Sequence, residues 1–263
     1  MAIRAALPLS PARTLLVACL TLLTALPTVA GAANWLYTVR PGDTLWSVAE
    51  KYLHHVGYVP RLQTLNQVAD PRNLPPGMRL RLPVAWMKRQ PARVRVDSVS
   101  GPATATIPPE NRTRALEPGM QLPADTVLDT GAGATVVLTF ADGSRFTLNQ
   151  ASRVVLDRVS AYGDSGMVDI GMRLRQGRVV GQVDPDSGPG TRFEISSPAS
   201  QTAVRGTDFR VGFESGQQTA RTEVLDGRVT VSGAGRTRTL RAGTGTIART
   251  GEPPQPPRRL LPP

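Results

Sequence analysis

Two rhythms of apolar and polar positions divide this chain. Leu45, Val48, Ala49 and Tyr52 recur at i, i+3, i+4, i+7, the spacing of one helix face, and Asp43 stands where it can cap that helix. A second short helix is predicted over Arg61 to Leu65, with Leu62 and Leu65 facing inward. Short strands are predicted on either side, over Leu36 to Val39 and Arg79 to Leu82. The order is therefore strand, helix, helix, strand.

From about Arg93 the rhythm changes to alternation. β-rich runs recur at Val94–Val99, Thr135–Phe140, Arg145–Leu148, Arg153–Leu156, Arg178–Val183, Phe193–Ile195, Asp208–Phe213, Thr222–Leu225 and Arg228–Val231. Phe209, Val211 and Phe213 alternate with polar residues, as do Val229 and Val231, so each strand buries one face. Asp142-Gly143, Gln176-Gly177 and Asp226-Gly227 are predicted as the turns between runs, because tight hairpin turns need positive φ. No helix-period segment of useful length intervenes, which predicts an all-β sandwich or solenoid-like domain over 93–250. Pro83 to Pro91 reads as a connector (84–92), with Trp86 packing back on the first module. The proline-rich segment 251–263 reads as a tail or linker that cannot continue a sheet, since proline removes ladder donors.

Residues 1–32 have the layout of a secretory leader: Arg4 and Arg13, then the apolar run Leu15 to Leu26, then Ala30-Gly31-Ala32 as a cleavage site. The run is shorter than the roughly 20 apolar residues of a membrane span. The alternatives are an uncleaved anchor or lipidation at Cys19, the single cysteine, which follows Leu16-Val17-Ala18.

The module at 33–83 resembles a LysM domain. The likeness is carried by Tyr37-Thr-Val-Arg-Pro-Gly-Asp-Thr-Leu-Trp-Ser-Val-Ala-Glu-Lys-Tyr52, by Leu65-Asn66, and by Pro76-Gly77-Met-Arg-Leu-Arg-Leu82. It implies a small βααβ fold that binds peptidoglycan or another N-acetylglucosamine-containing glycan. The ligand groove of that family maps to the loops Gly42-Asp43-Thr44-Leu45 and Asn66 to Leu74, the latter including Asp70. Backbone groups there would grip acetamido groups, Gly42 would permit close approach, and Leu45 would supply apolar floor. Trp46 is expected to be partly packed. The segment Leu53 to Val59, which holds the two histidines His54 and His55, is longer than is typical of the family.

The β region resembles a FecR-type domain, through Leu128-Asp-Thr-Gly-Ala-Gly-Ala134, Phe140-Ala-Asp-Gly-Ser-Arg-Phe146, Leu174-Arg-Gln-Gly-Arg-Val179, Phe193-Glu-Ile-Ser-Ser-Pro198, Val204-Arg-Gly-Thr-Asp-Phe209 and Glu223-Val-Leu-Asp-Gly-Arg-Val229. This resemblance implies an extracytoplasmic domain of a Gram-negative envelope. Its founding members relay an iron-transport signal to a sigma factor, after a cytoplasmic segment and a membrane helix that this sequence replaces with the LysM module. Val204, Arg205, Gly206 and Thr207 are the most distinctive motif. Arg205 could hold an anionic group, but the structural expectation is that it pairs with Asp208 while Gly206 relieves crowding in a strand.

Composition narrows the function. The formal charge of +11 falls to +9 once Arg4 and Arg13 leave with the leader, and the arginines are spread thinly. Aromatics make up only 5% of residues, too few for a base-stacking platform, so nucleic acid is not the expected partner. His54 and His55 lack a ligand set for a metal, and Asp184 and Asp186 are too few carboxylates for calcium. No H-E-x-x-H or G-x-S-x-G pattern occurs, and no histidine lies outside the LysM module. These observations predict a non-catalytic, cofactor-free envelope protein. It would tether to wall glycan and present its β domain to another envelope component. A FecR-type regulator and an adhesin or scaffold are the rival expectations.

Overall fold

The computed structural model describes residues 33–110 and 112–261; the predicted leader and Cys19 lie outside the described residues. The first module is β1 (Asn34–Thr38), α1 (Leu45–Tyr52), α2 (Val59–Asn66) and β2 (Arg79–Pro83), with β1 and β2 antiparallel. The helix-period residues Leu45, Val48, Ala49 and Tyr52 are all buried, as periodicity requires. Asp43 is not the cap. Thr44 is, in a reciprocal capping box with Ser47, because its extended backbone aims the hydroxyl at the Ser47 N–H. The long inter-helix segment forms a 3-10 turn, Val56–Tyr58, and Trp86 stacks on Tyr58 with ring centroids 4.8 Å apart.

The rest is β. In chain order the strands are β3 (Gln90–Pro91), β4 (Val94–Ser100), β5 (Ala103–Ile107), β6 (Arg112–Ala115), β7 (Gln121–Leu122), β8 (Val127–Thr130), β9 (Thr135–Thr139) and β10 (Arg145–Leu148). There follow β11 (Arg153–Ala161), β12 (Val168–Gln182), β13 (Arg192–Ser196), β14 (Gln201–Glu214), β15 (Thr219–Gly233), β16 (Arg236–Arg241), β17 (Thr244–Arg249) and β18 (Arg258–Arg259).

Three long strands, β12, β14 and β15, run through two layers. Their halves pair with different neighbours: one layer runs β18-β17-β15-β14-β12-β10-β9-β4-β7, the other β16-β15-β14-β13-β12-β11-β8-β5-β6. A strand can serve both layers only if it bends and keeps its apolar side inward. Each does so by an extra residue that shifts the side-chain alternation. In β14 the buried set changes from Thr202 and Val204 to Thr207, Phe209, Val211 and Phe213; in β15 it changes from Ala220, Thr222 and Val224 to Val229 and Val231. In β12 it changes from Ile170, Met172 and Leu174 to Val179 and Gly181.

The glycine dipeptides therefore divide. Asp142-Gly143 does turn the β9–β10 hairpin, with Asp142 accepting from the Ser144 N–H. Gln176-Gly177 and Asp226-Gly227 do not separate strands. They lie inside β12 and β15, at the bends, where positive φ serves a bulge rather than a hairpin. Between the layers Phe140, Phe146, Phe193 and Phe209 form one ring cluster with centroids 4.9–5.4 Å apart.

The proline-rich segment, expected not to continue a sheet, does join one. Arg258 and Arg259 pair with Gly245 and Thr244, and the Gln255 N–H donates to Ile247. The prolines occupy positions between these donors, so the segment forms an edge strand despite them.

Candidate functional site

The two predicted loops meet at one end of the first module. The Leu45 N–H donates to Pro71 O at 2.9 Å, tying the start of α1 to the second loop, and Val39 and Gly77 hold the strands on either side of it. Gly42 has φ +86 with open space around it, so glycine is required by the backbone and the surface beside it is free. Asp70 is exposed and turns its loop by accepting from the Arg72 N–H.

The other predicted contacts are used internally. Asp43 accepts from the Tyr37 hydroxyl at 2.5 Å and from the Arg40 N–H at 2.7 Å, which fixes the first loop. Burial, and then this bond to Asp43, push the Tyr37 hydroxyl up to about 12. Asn66 spends its amide on Leu62 O, Arg81 O and the Arg81 N–H, joining the end of α2 to β2. Leu45 is completely buried in the module core, because the helix face it shares with Val48 points inward; it supplies no floor to the groove. Thr44 is half-buried and committed to its cap. Trp46 is 43% exposed on α1 next to the first loop. His54 faces Met87 O and His55 accepts from the Gly57 N–H, both local roles. Among the described residues no cluster of His, Cys, Asp and Glu is built to hold a metal.

A second feature was not legible in the sequence. Tyr162 and Met167 flank the turn between β11 and β12, yet they belong to the core of the first module, where Met167 is fully buried. Beside them Asp169, only 7% exposed at its side chain, accepts from Arg89 Nη1 and Arg158 Nε, both at 2.9 Å. The connector pairs as β3 with the end of β11, and Lys51 reaches Asp164 at 3.0 Å. The module is thus packed onto the β domain through the C-terminal end of α1. The groove loops lie at its N-terminal end, about 12 Å away along a helix rising 1.5 Å per residue. Among the described residues no hydrogen bond or ion pair links residues 40–44 or 66–78 to the β domain.

The Val-Arg-Gly-Thr motif sits at the bend of β14. Gly206 and Thr207 together oppose Gly227 on β15, and Leu225 then restores the register on the other strand. A Cβ on Gly227 would stand 2.5 Å from Thr207 Cγ2 and 2.6 Å from Gly206 O. Arg205 is exposed and, among the described residues, makes no ion pair with Asp208; the bend sends the two into different layers, and Asp208 stands opposite Asp226.

Comparison with known families fits this division. Residues 37–83 match the LysM domain, and residues 126–230 match the FecR protein family. The chain carries a LysM domain followed by a FecR domain. Neither is a catalytic family. Two solved structures from Parabacteroides distasonis, each described as that of an anti-sigma factor, are similar at 16% and 19% identity, with TM-scores of 0.42 and 0.41. Each likeness covers 51% of this chain and 59% of the other, so the chain spans less than two thirds of either structure's length. No curated protein matches the chain. Among the described residues no helix is long and apolar enough to cross a membrane.

Proposed function

We propose that the LysM module binds an N-acetylglucosamine-containing wall glycan, peptidoglycan being the intended one, through the loops at Gly42–Thr44 and Asn66–Leu74. The observation that carries this is the placement of those loops. They are held open at the end of α1 opposite the seam with the FecR domain, so a long glycan strand can pass without meeting it. Gly42, Asp70 and the exposed backbone between them are the contacts. Asp43, Thr44 and Asn66 act one step back, fixing the loops, and Leu45 anchors the helix that carries them.

The protein works without catalysis, outside the cytoplasm, as a tether. The seam changes the physics of that tether. A flexible linker would give the FecR domain an effective concentration near the wall, whereas a packed seam also fixes its orientation. The partner of the FecR domain is an envelope component. The FecR match supports a second reading, a regulator that reports wall state to a membrane partner.

The test is co-sedimentation of the protein with purified sacculi at low and high salt. Deleting the module would bare Tyr162 and Met167, so the comparison is with Ala69→Trp/Asn73→Trp, which fills the second loop and leaves the seam intact. Salt-resistant binding that is lost in this variant supports the tether. Equal binding by both proteins, or binding abolished by salt, defeats it.

A further inference from the structure

The outer face of the FecR domain carries an arrangement of charge that the fold does not require. Val204, Val229 and Leu240 stand opposite one another on β14, β15 and β16, all pointing inward. The next position on each strand points outward, and there the opposed residues are Arg205, Arg228 and Arg241. Arg192, which precedes Phe193 opposite Val204, continues the row on β13, and its own neighbour on β12 is Asp169.

One end of this row is neutralised. Asp169 is satisfied by Arg89 and Arg158, and Arg192 pairs with Glu194 at 2.5 Å. Among the described residues the other three arginines have no ion pair, although ten other arginines there are paired with carboxylates. Like charges directly opposite on neighbouring strands destabilise a sheet. With strands about 4.8 Å apart, the three cations span roughly 10 Å in a line.

The row lines a cleft of about 1050 Å³ between these strands and the Pro189–Thr191 loop, with Val84 of the connector on its rim. Its walls are otherwise small: Gly190, Ala203, Gly206 and Thr230 leave the guanidinium groups accessible. Asp226 is the one carboxylate lining the cleft, against four arginines.

We propose that this cleft binds a ligand bearing clustered phosphate groups. A single carboxylate would balance one of three cations. A phosphate monoester brings between one and a half and two negative charges and three acceptor oxygens, which suit the planar fork of arginine. Two phosphates spaced about 5–10 Å apart would neutralise the whole row, given the strand spacing. Such groups occur on soluble polyphosphates or phosphorylated saccharides and on anionic lipid headgroups; the chemistry recognised is the same. This site is independent of the LysM groove.

The test measures binding of sodium tripolyphosphate to the whole protein by calorimetry and thermal shift, with orthophosphate as the single-phosphate comparison. Vesicles of phosphatidylcholine with and without phosphatidic acid form the lipid arm. The variant is Arg205→Gln/Arg228→Gln/Arg241→Gln, and the charge-matched control is Arg61→Gln/Arg114→Gln/Arg145→Gln, at exposed positions away from the cleft. The wild type should bind tripolyphosphate more tightly than orthophosphate. The row variant should lose at least about tenfold, the loss expected of one charge-assisted hydrogen bond, while the control retains binding. Without ligand the row variant should be as stable as wild type or more so, since repulsion is relieved. Loss with phosphatidic acid vesicles as well assigns a headgroup; loss with the soluble ligand alone assigns a free one. Equal losses in the two variants, or no binding to either probe, overturn the site.

Discussion

The bend at Gly227 gives a direct test of how the FecR motif works. Gly227 has φ +79, and Gly235, in the turn between β15 and β16, has nearly the same backbone angle, φ +74. Alanine in the left-handed region costs about 1–2 kcal/mol at either position. The surroundings differ. At Gly235 nothing lies within 4 Å of an added Cβ, whereas at Gly227 the new atom meets Thr207 Cγ2 at 2.5 Å and Gly206 O at 2.6 Å. Gly206 O belongs to the bulge backbone, so relief requires moving the bend itself. Overpacking of this kind adds about 1–3 kcal/mol. Gly227→Ala should therefore cost about 2–5 kcal/mol and Gly235→Ala about 1–2 kcal/mol. Urea unfolding followed by circular dichroism reads both as shifts in midpoint at constant slope. If the two variants lose the same stability, the Gly206–Gly227 contact does not define the bend and the reading of the motif as a layer-switching corner is wrong.

Other expectations follow from the seam and the groove. Met167→Ala should destabilise by about 2–5 kcal/mol, as for other buried truncations, and should lower the melting of both domains in one calorimetric transition; a shift confined to one of two resolved transitions would show that the seam is not cooperative. Asn66→Ala should cost about 1–3 kcal/mol, measured by chemical denaturation, because the Arg81 and Leu62 backbone groups lose their partner. Tyr37 supplies a pH dependence. Its folded hydroxyl titrates near 12 against 10 in the unfolded chain, so its contribution is complete below pH 10 and is lost as pH rises from 10 to 12. Ultraviolet difference absorbance should show two tyrosines titrating late, since burial raises the Tyr162 hydroxyl as well; the one absent from Tyr37→Phe is that of Tyr37. In Asp43→Asn that titration should move down yet stay above 10, since burial is the larger cause.

The first module was legible because its signals are local. A 3.6-residue period buried Leu45, Val48, Ala49 and Tyr52 together, and the helix could begin only near Thr44. The identity of the cap was missed because Asp43 and Thr44 are equally good cap types; the choice fell to Tyr37, whose hydroxyl claims Asp43. In the β region, alternation located the strands but not their continuity. Asp226-Gly227 has the composition of a hairpin turn, while the real hairpin two residues past Ser232 is made by Ala234-Gly235, with φ of +43 and +74. Only the shift of buried positions in β14 and β15 distinguishes a bulge from a turn, and that shift depends on long-range pairing. The seam left no trace in the sequence, since Tyr162 and Met167 are ordinary apolar residues at a strand end. The arginine row was invisible for the same reason. Arg192, Arg205, Arg228 and Arg241 are scattered along the chain and become neighbours only through register.

Glycan binding at the open loops is what makes the protein a tether. Its most direct test is a nuclear magnetic resonance titration of isotopically labelled protein with a soluble N-acetylglucosamine oligomer. Saturable amide shifts are expected at Gly42–Leu45 and Asn66–Leu74, with the Tyr162–Met167 turn and the arginine row unmoved. Absence of shifts in those loops at saturating oligomer, or shifts confined to the FecR domain, would contradict glycan binding at the loops.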